Sequence, residues 1–364
     1  MNMSKKYLLL LFVLVALIAF SGVYIVGGAE AYARYQQNSI ADKEHCGGQA
    51  PVRICVHTPP AIFSAFYPSY VAAQSPLFSV DYSSSNAQTL LITVTIARFT
   101  QSQSQTVNAL AAVQSSVFTP PLQGQALHNL TTEMNTSLHV QATDTAGHVY
   151  YVNDIPILLH SRWLMQWTTA NRLKIAAWTT PNDPEIVSLV NKAAIRLKNE
   201  RPSAPDGMIG YRGTRQQVTD QVDAIYDTLR LDYHIHYVQA TVPYSGAGSN
   251  SSAATQNVKL PAEVLQQHSG MCIELTTLLA SAVEKIGLNA EIVIIPGHAF
   301  LGVADSEGGR HFQYWDAVDV NNNVAADSAN VAANNLYETN VKQHTILDTI
   351  LIGDARAARV GPML

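Results

Sequence analysis

Residues 260–303 read LPAEVLQQHSGMCIELTTLLASAVEKIGLNAEIVIIPGHAFLGV, and HFQYWDAVD follows at 311–319 after a Gly-rich turn. Leu275, Leu278, Leu279, Ala282, Val283 and Ile286 recur at steps of three and four, the mark of one buried helical face. Gly287 is a natural stop for that helix. Cys272 therefore falls in its first turn, where unpaired backbone N–H groups and the helix dipole favour a thiolate over a thiol. Behind the helix, AEIVII (290–295) reads as a buried strand, and Pro296-Gly297 breaks it. His298 opens a second strand, HAFLGVA, and Asp305-Ser306-Glu307-Gly308-Gly309 turns the chain into a third. This is a hairpin by its local signals. Pairing Asp305 with Gly309 across a three-residue loop sets His298 opposite Asp316. Asp319 has the other parity and points to the other sheet face.

Three residues of this stretch are candidates for one catalytic device. Cys272 is the candidate nucleophile and His298 the candidate base. Asp316, rather than Asp319, is the group expected to hold the imidazole tautomer. The Cys272 backbone N–H is a ready oxyanion donor. A side-chain donor is expected from Gln256, Gln266 or Gln267, with Gln256 put first. No metal and no cofactor is expected.

These residues resemble the transglutaminase-like superfamily of papain-type cysteine enzymes. The resemblance is carried by Pro261-Ala-Glu263-Val-Leu265, by Gly270-Met-Cys272-Ile-Glu274-Leu275, by the GHAF segment at Gly297–Phe300 and by the closing WDAVD at Trp315–Asp319. It covers residues 260–319 well, is compatible with 175–255, and leaves the preceding chain outside. Two positions depart from the pattern: Phe300 stands where Trp is frequent, and Glu274 where Asp is frequent. The resemblance implies a papain-like α+β domain acting at amide bonds of a protein or peptide.

The bulk numbers agree with this class. In 364 residues, 47% are hydrophobic and 13% charged, with a net charge of −5. No Lys/Arg cluster of the kind that tracks phosphates is present, so nucleic acid is not an expected partner. Lys5 and Lys6 precede an uncharged run from Tyr7 to Val26. That run is long enough to span a bilayer, and the lysines place the remainder outside the cytoplasm. A signal cleaved near Ala31-Tyr32-Ala33 is the alternative, and it delivers the chain to the same side. There are three cysteines. Cys46 and Cys55 read as a small disulfide loop, which leaves Cys272 unpaired.

In chain order, the expected layout is an anchor at 1–28, a tether with the disulfide loop at 29–60, an antiparallel β-sandwich at 61–165 and the transglutaminase-like domain at 175–364. The sandwich rests on alternating runs at 77–82, 89–99, 137–144 and 149–159, separated by turn residues. Helices are expected from Asp183 and from about Arg215, then a strand over 235–244. The H-x-H pair His234/His236 lacks a third ligand and reads as two outward side chains. Asp319-Val-Asn321-Asn-Asn323 starts like a calcium loop, but Val324 and Asn330 stand where an EF-hand needs Gly and Glu. The combined expectation is a membrane-tethered, extracytoplasmic cysteine enzyme of protein or peptide amides. A non-catalytic surface or adhesion module on a degenerate scaffold is the alternative.

Overall fold

The structure, a computed structural model, describes residues 43–201, 207–246, 254–320 and 322–363. The expected anchor at 1–28 lies outside the described residues, and among those described no helix is long and apolar enough to cross a membrane. The chain is mixed α and β and divides into two units. The first is built from the chain up to residue 61 with 76–121 and 136–157. The second is built from 62–75, 122–135 and 158–364.

Most of two sheets lies in the first unit. Strands β1 (Lys43–Gly47), β2 (Val52–Thr58), β4 (Phe78–Ser84) and β7 (Gln114–Phe118) form one, in the order β1-β2-β4-β7. The other has the order β3-β9-β8-β5-β6, with β3 at Ala61–Phe63, β5 at Gln88–Ile96, β6 at Gln103–Ala109, β8 at Met134–Asp144 and β9 at Val149–His160. Period-two alternation explains why these segments are strands. Phe78, Val80 and Tyr82 turn inward along β4, as do Leu90, Ile92, Val94 and Ile96 along β5. The outward face of β5 carries Thr93 and Thr95, whose hydroxyls meet Ser104 of β6 at 2.8 Å and Ser102, just before β6, at 2.7 Å.

Residues 43–58, expected in the tether, form β1 and β2 instead. Cys46 pairs directly with Cys55 across these strands, and the two are joined by the expected disulfide. The physical reason is that Val52, Ile54 and Val56 alternate inward and are fully buried. The intervening Gly-Gly and Pro serve a tight connection within the sheet. The polar strands β6 and β7 were not expected, because QSQTVNA and QSSVF show little apolar alternation.

In the second unit, α1 (Tyr67–Ala73) and α2 (Ala126–Asn129) precede two long helices, α3 (Pro184–Glu200) and α4 (Arg215–Leu231). The Asp183 carboxylate caps α3 by accepting from Glu185 N at 2.9 Å, and Thr214 with Gln217 closes a capping box on α4. Both devices satisfy N–H groups that a helix start leaves without partners. Short helix α5 (Pro261–Gln267) leads to α6 (Cys272–Lys285). Strands β14 (Ala290–Ile295), β15 (His298–Ala304), β16 (Phe312–Trp315) and β17 (Asp348–Leu351) make an antiparallel sheet in the order β16-β15-β14-β17. Every residue of β14 is buried, as expected for a central strand covered on both faces. Thr276 of α6 donates to Ala299 O at 3.2 Å. On the other face, Val293, Phe300 and Tyr314 pack with Ala333, Leu336 and Tyr337 of α7 (Ala326–Gln343).

Two expectations change in detail. The strand expected over 235–244 is two residues long, β11 (His236–Tyr237), which pairs in parallel with β13 (Ser269–Gly270). Beyond it, the chain runs as a strap to a single bridge between Val242 and Gly297. The β15–β16 pairing sets Leu301 opposite Trp315 and Ala304 opposite Phe312, two positions away from the expected register. The turn is longer than three residues, since Asp305 N donates to His311 O at 3.1 Å. A slip of two keeps every side chain on its expected face.

Candidate active site

Four short segments converge on the start of α6. Cys272 is its first residue and is 1% exposed. The helix start is fixed by Glu274, whose carboxylate accepts from Met271 N at 2.9 Å and from Lys259 N at 2.7 Å. This returns the helix to its own N-cap, and it ties the preceding loop to the same carboxylate. Glu274 is buried, and Lys259 Nζ lies 3.7 Å from the same carboxylate.

His298 opens β15 immediately after Gly297, whose φ of 75° needs the freedom of glycine. The His298 ring lies against Phe300, with centroids 6.2 Å apart. Its Nε2 meets Asp316 Oδ2 at 2.7 Å. Cys272 is the other side chain near enough to act on the His298 ring. Burial opposes the imidazolium. The hydrogen bonds to Asp316 and Cys272 and the charge of Asp316 outweigh it and raise His298 to about 10. At neutral pH the ring is thus held as a cation.

Asp316 follows the last residue of β16 and is buried. Its Oδ1 accepts from Val318 N at 3.2 Å, so one oxygen is held by the turn and the other by the histidine. Asp319 sits in the following 3₁₀ turn (Ala317–Val320), not on the strand. Burial and the nearby Asp316 charge raise its carboxyl. Between the two acids, Asp316 is the one in hydrogen-bond contact with His298.

Gln256 lies on β12 (Ala254–Asn257), which pairs with β10 (Leu164–Trp167). The Trp167 indole, a donor only, gives its Nε1–H to Gln256 Oε1 at 3.0 Å. This orients the amide so that Nε2 points to Thr241 O (3.4 Å) and to Sδ of Met271 (3.8 Å), the residue before Cys272. Gln266 and Gln267 are exposed on α5, and Gln267 accepts from Lys259 Nζ at 3.3 Å. A cavity of about 590 Å³ opens next to Met271, walled by Val238, Ala240, Thr241, Gln256 and Asn257 and closed by Glu274. His234 and His236 are both exposed, away from this cavity lining.

Two contributors were not anticipated. The Ala240 carbonyl is the partner of Cys272 Sγ at 3.8 Å; a backbone oxygen leaves no mark in a sequence. Asp223 of α4 is buried and accepts from Trp315 Nε1 at 2.8 Å, anchoring the residue before Asp316. Burial pushes its carboxyl up to about 7, although Trp315 and Arg201 pull the other way. A carboxylate inside the apolar stripe Val218, Val222, Ile225 was a legible signal for this role.

No curated protein and no solved structure matches the chain. Residues 215–346, a little over a third of the chain and spanning α4, the Cys272 helix, the hairpin and α7, match the family model of the transglutaminase-like superfamily.

Proposed function

We propose that this chain is a cysteine enzyme that hydrolyses, or transfers at, amide bonds of a protein or peptide through Cys272, His298 and Asp316. The observation that carries the reading is the 2.7 Å contact of His298 Nε2 with Asp316; the influence of Cys272 on the same ring supports it. In this scheme the Cys272 sulfur attacks the substrate carbonyl carbon and forms a thioester as the C–N bond breaks. His298, charged in the resting state, gives its proton to the leaving amine. It then takes a proton from water, or from an acceptor amine, as that group attacks the thioester. Asp316 keeps the ring oriented and supports its charge throughout. The oxyanion is received by the Cys272 backbone N–H and by Gln256 Nε2. Water is the default acceptor, so hydrolysis is favoured over cross-linking.

The wider reading places this activity outside the cytoplasm, in a papain-like α+β domain preceded by a sandwich and tethered by the apolar run at 7–26. The Cys46–Cys55 disulfide supports an oxidising compartment. The burial of Cys272 is the one observation that favours the alternative, a non-catalytic module with an inert thiol. The deciding experiment screens peptide and amide substrates with wild type and Cys272→Ala in parallel, with intact-mass detection of an acyl adduct. Turnover and an adduct confined to wild type are expected. A wild type that forms no adduct and matches Cys272→Ala on every substrate would overturn the proposal.

A further inference from the structure

The strap between β11 and Tyr244 lies across the candidate site in the manner of a bound peptide. It leaves β11 through Val238, whose N donates to Gly270 O at 2.9 Å, two residues before Cys272. Ala240 O then takes the Cys272 thiol at 3.8 Å, and Thr241 O takes the Gln256 amide at 3.4 Å. Val242 N donates to Gly297 O at 3.1 Å, one residue before His298, in an isolated antiparallel bridge. Finally Tyr244 Oη donates to Asp348 Oδ2 at 3.2 Å, and its ring packs on Trp167, the residue that orients Gln256.

Two successive backbone carbonyls thus occupy the two groups that a substrate carbonyl needs, the nucleophile and the oxyanion donor. The neighbouring backbone pairs with the segment that carries the base. Cys272 is left 1% exposed, too little for a macromolecular substrate to reach. Building on the reading above, we infer that residues 238–244 are an intramolecular pseudo-substrate, and that the ligand that displaces them is an extended peptide backbone. The structure is then the latent form of the site. At its far end the strap is held by the isolated bridge, by the Tyr244 phenol and by burial of the Val242 and Tyr244 side chains, the latter against Trp167. A peptide that forms equivalent backbone bonds can exchange with it at little net cost. The burial of the thiol follows from the strap and does not require a degenerate site.

The test is the rate of Cys272 alkylation by iodoacetamide under native conditions at pH 7. Val242→Pro removes the N–H that reaches Gly297 O, and Tyr244→Phe removes the hydroxyl that reaches Asp348. Neither belongs to the proposed triad. Val242→Pro is expected to react at least about ten times faster than wild type, and Tyr244→Phe severalfold faster, since each opens a local equilibrium. Should Val242→Pro fail to fold, Tyr244→Phe carries the test. Folded strap variants that react at the wild-type rate would overturn the inference. The rate tests the strap, and the pH midpoint in the loosened variant tests the Cys272–His298 pair, so the two ideas fail separately. A fast reaction with a midpoint near that of a free thiol, about 8.5, keeps the strap and removes the triad.

Discussion

The two units treat buried polarity in opposite ways. In the first, the buried polar side chains among the described residues are hydroxyls, Thr58, Ser84 and Thr100. Each is satisfied within a few residues: Thr58 by Pro59 O, Ser84 by Asn86 O and Thr100 by Ile96 N. Its ion pairs lie toward solvent, as His57 with Asp81 and His139 with Asp154. Among its described residues the second unit buries six carboxyl groups: Asp220, Asp223, Glu274, Glu291, Asp305 and Asp316. Burying a carboxylate is costly unless it is paired and hydrogen-bonded. Their concentration in one unit sets the unit with the candidate site apart from the other. Several of them converge on the proposed machinery: Glu274 holds the helix of Cys272, Asp223 holds Trp315, and Asp316 holds His298.

The largest effect is expected at Asp316. Asp316→Asn should lower turnover of a substrate found in the screen by about 10²–10⁴-fold, by loss of tautomer control. It should also change stability in a defined pH window. The folded-state pKa of His298, about 10, lies above the unfolded value of about 6.5. Its pairing therefore stabilises the fold fully below pH 6.5, and that contribution is lost as pH rises through about 10. The melting-temperature gap between wild type and Asp316→Asn should be widest near pH 6 and should narrow by pH 10. A gap that widens with pH would break the assignment.

Glu263 comes next. It accepts from Leu260 N (2.7 Å), from Trp163 Nε1 and from Arg162 Nη2 (2.6 Å), and so anchors α5 as Glu274 anchors α6. Glu263→Ala leaves the buried Arg162 uncompensated and should cost about 3 kcal/mol in denaturant unfolding. In the first unit the disulfide dominates. Cys46→Ser with Cys55→Ser should cost about 2–3 kcal/mol by freeing a short loop in the unfolded chain. Cys272 alkylation should stay unchanged, and a large change there would blur the contrast between the two units. The smallest effect belongs to His139→Ala, which removes an exposed pair and should move stability by no more than about 0.5 kcal/mol.

Much of the second unit was legible because its signals are local. The cysteine helix, the Pro-Gly break and the two strands follow from periodicity and turn residues, and face parity survived an error of two in the hairpin register. The loop length that caused that error depends on the Asp305–His311 closure, which no short-range rule specifies. The strap was read as a strand because IHYVQATVPY has β-forming residues. It pairs over only two of them, since tertiary partners, not propensity, decide where a ladder ends. Strands β1 and β2 were hidden by the glycines and proline between them, and β6 and β7 by their polar composition. What distinguishes Gln256 from Gln266 and Gln267 is the Trp167 indole that fixes its amide, a tertiary contact that leaves no local mark in the sequence.

The central claim is that Cys272 and His298 act as one charged pair. The most direct measurement is the pH dependence of Cys272 alkylation by iodoacetamide in the folded protein, wild type against His298→Ala. Wild type should remain reactive well below pH 7, and His298→Ala should lose that low-pH reactivity while circular dichroism stays the same. A common midpoint near 8.5, the value for a free thiol, in both proteins would contradict the account.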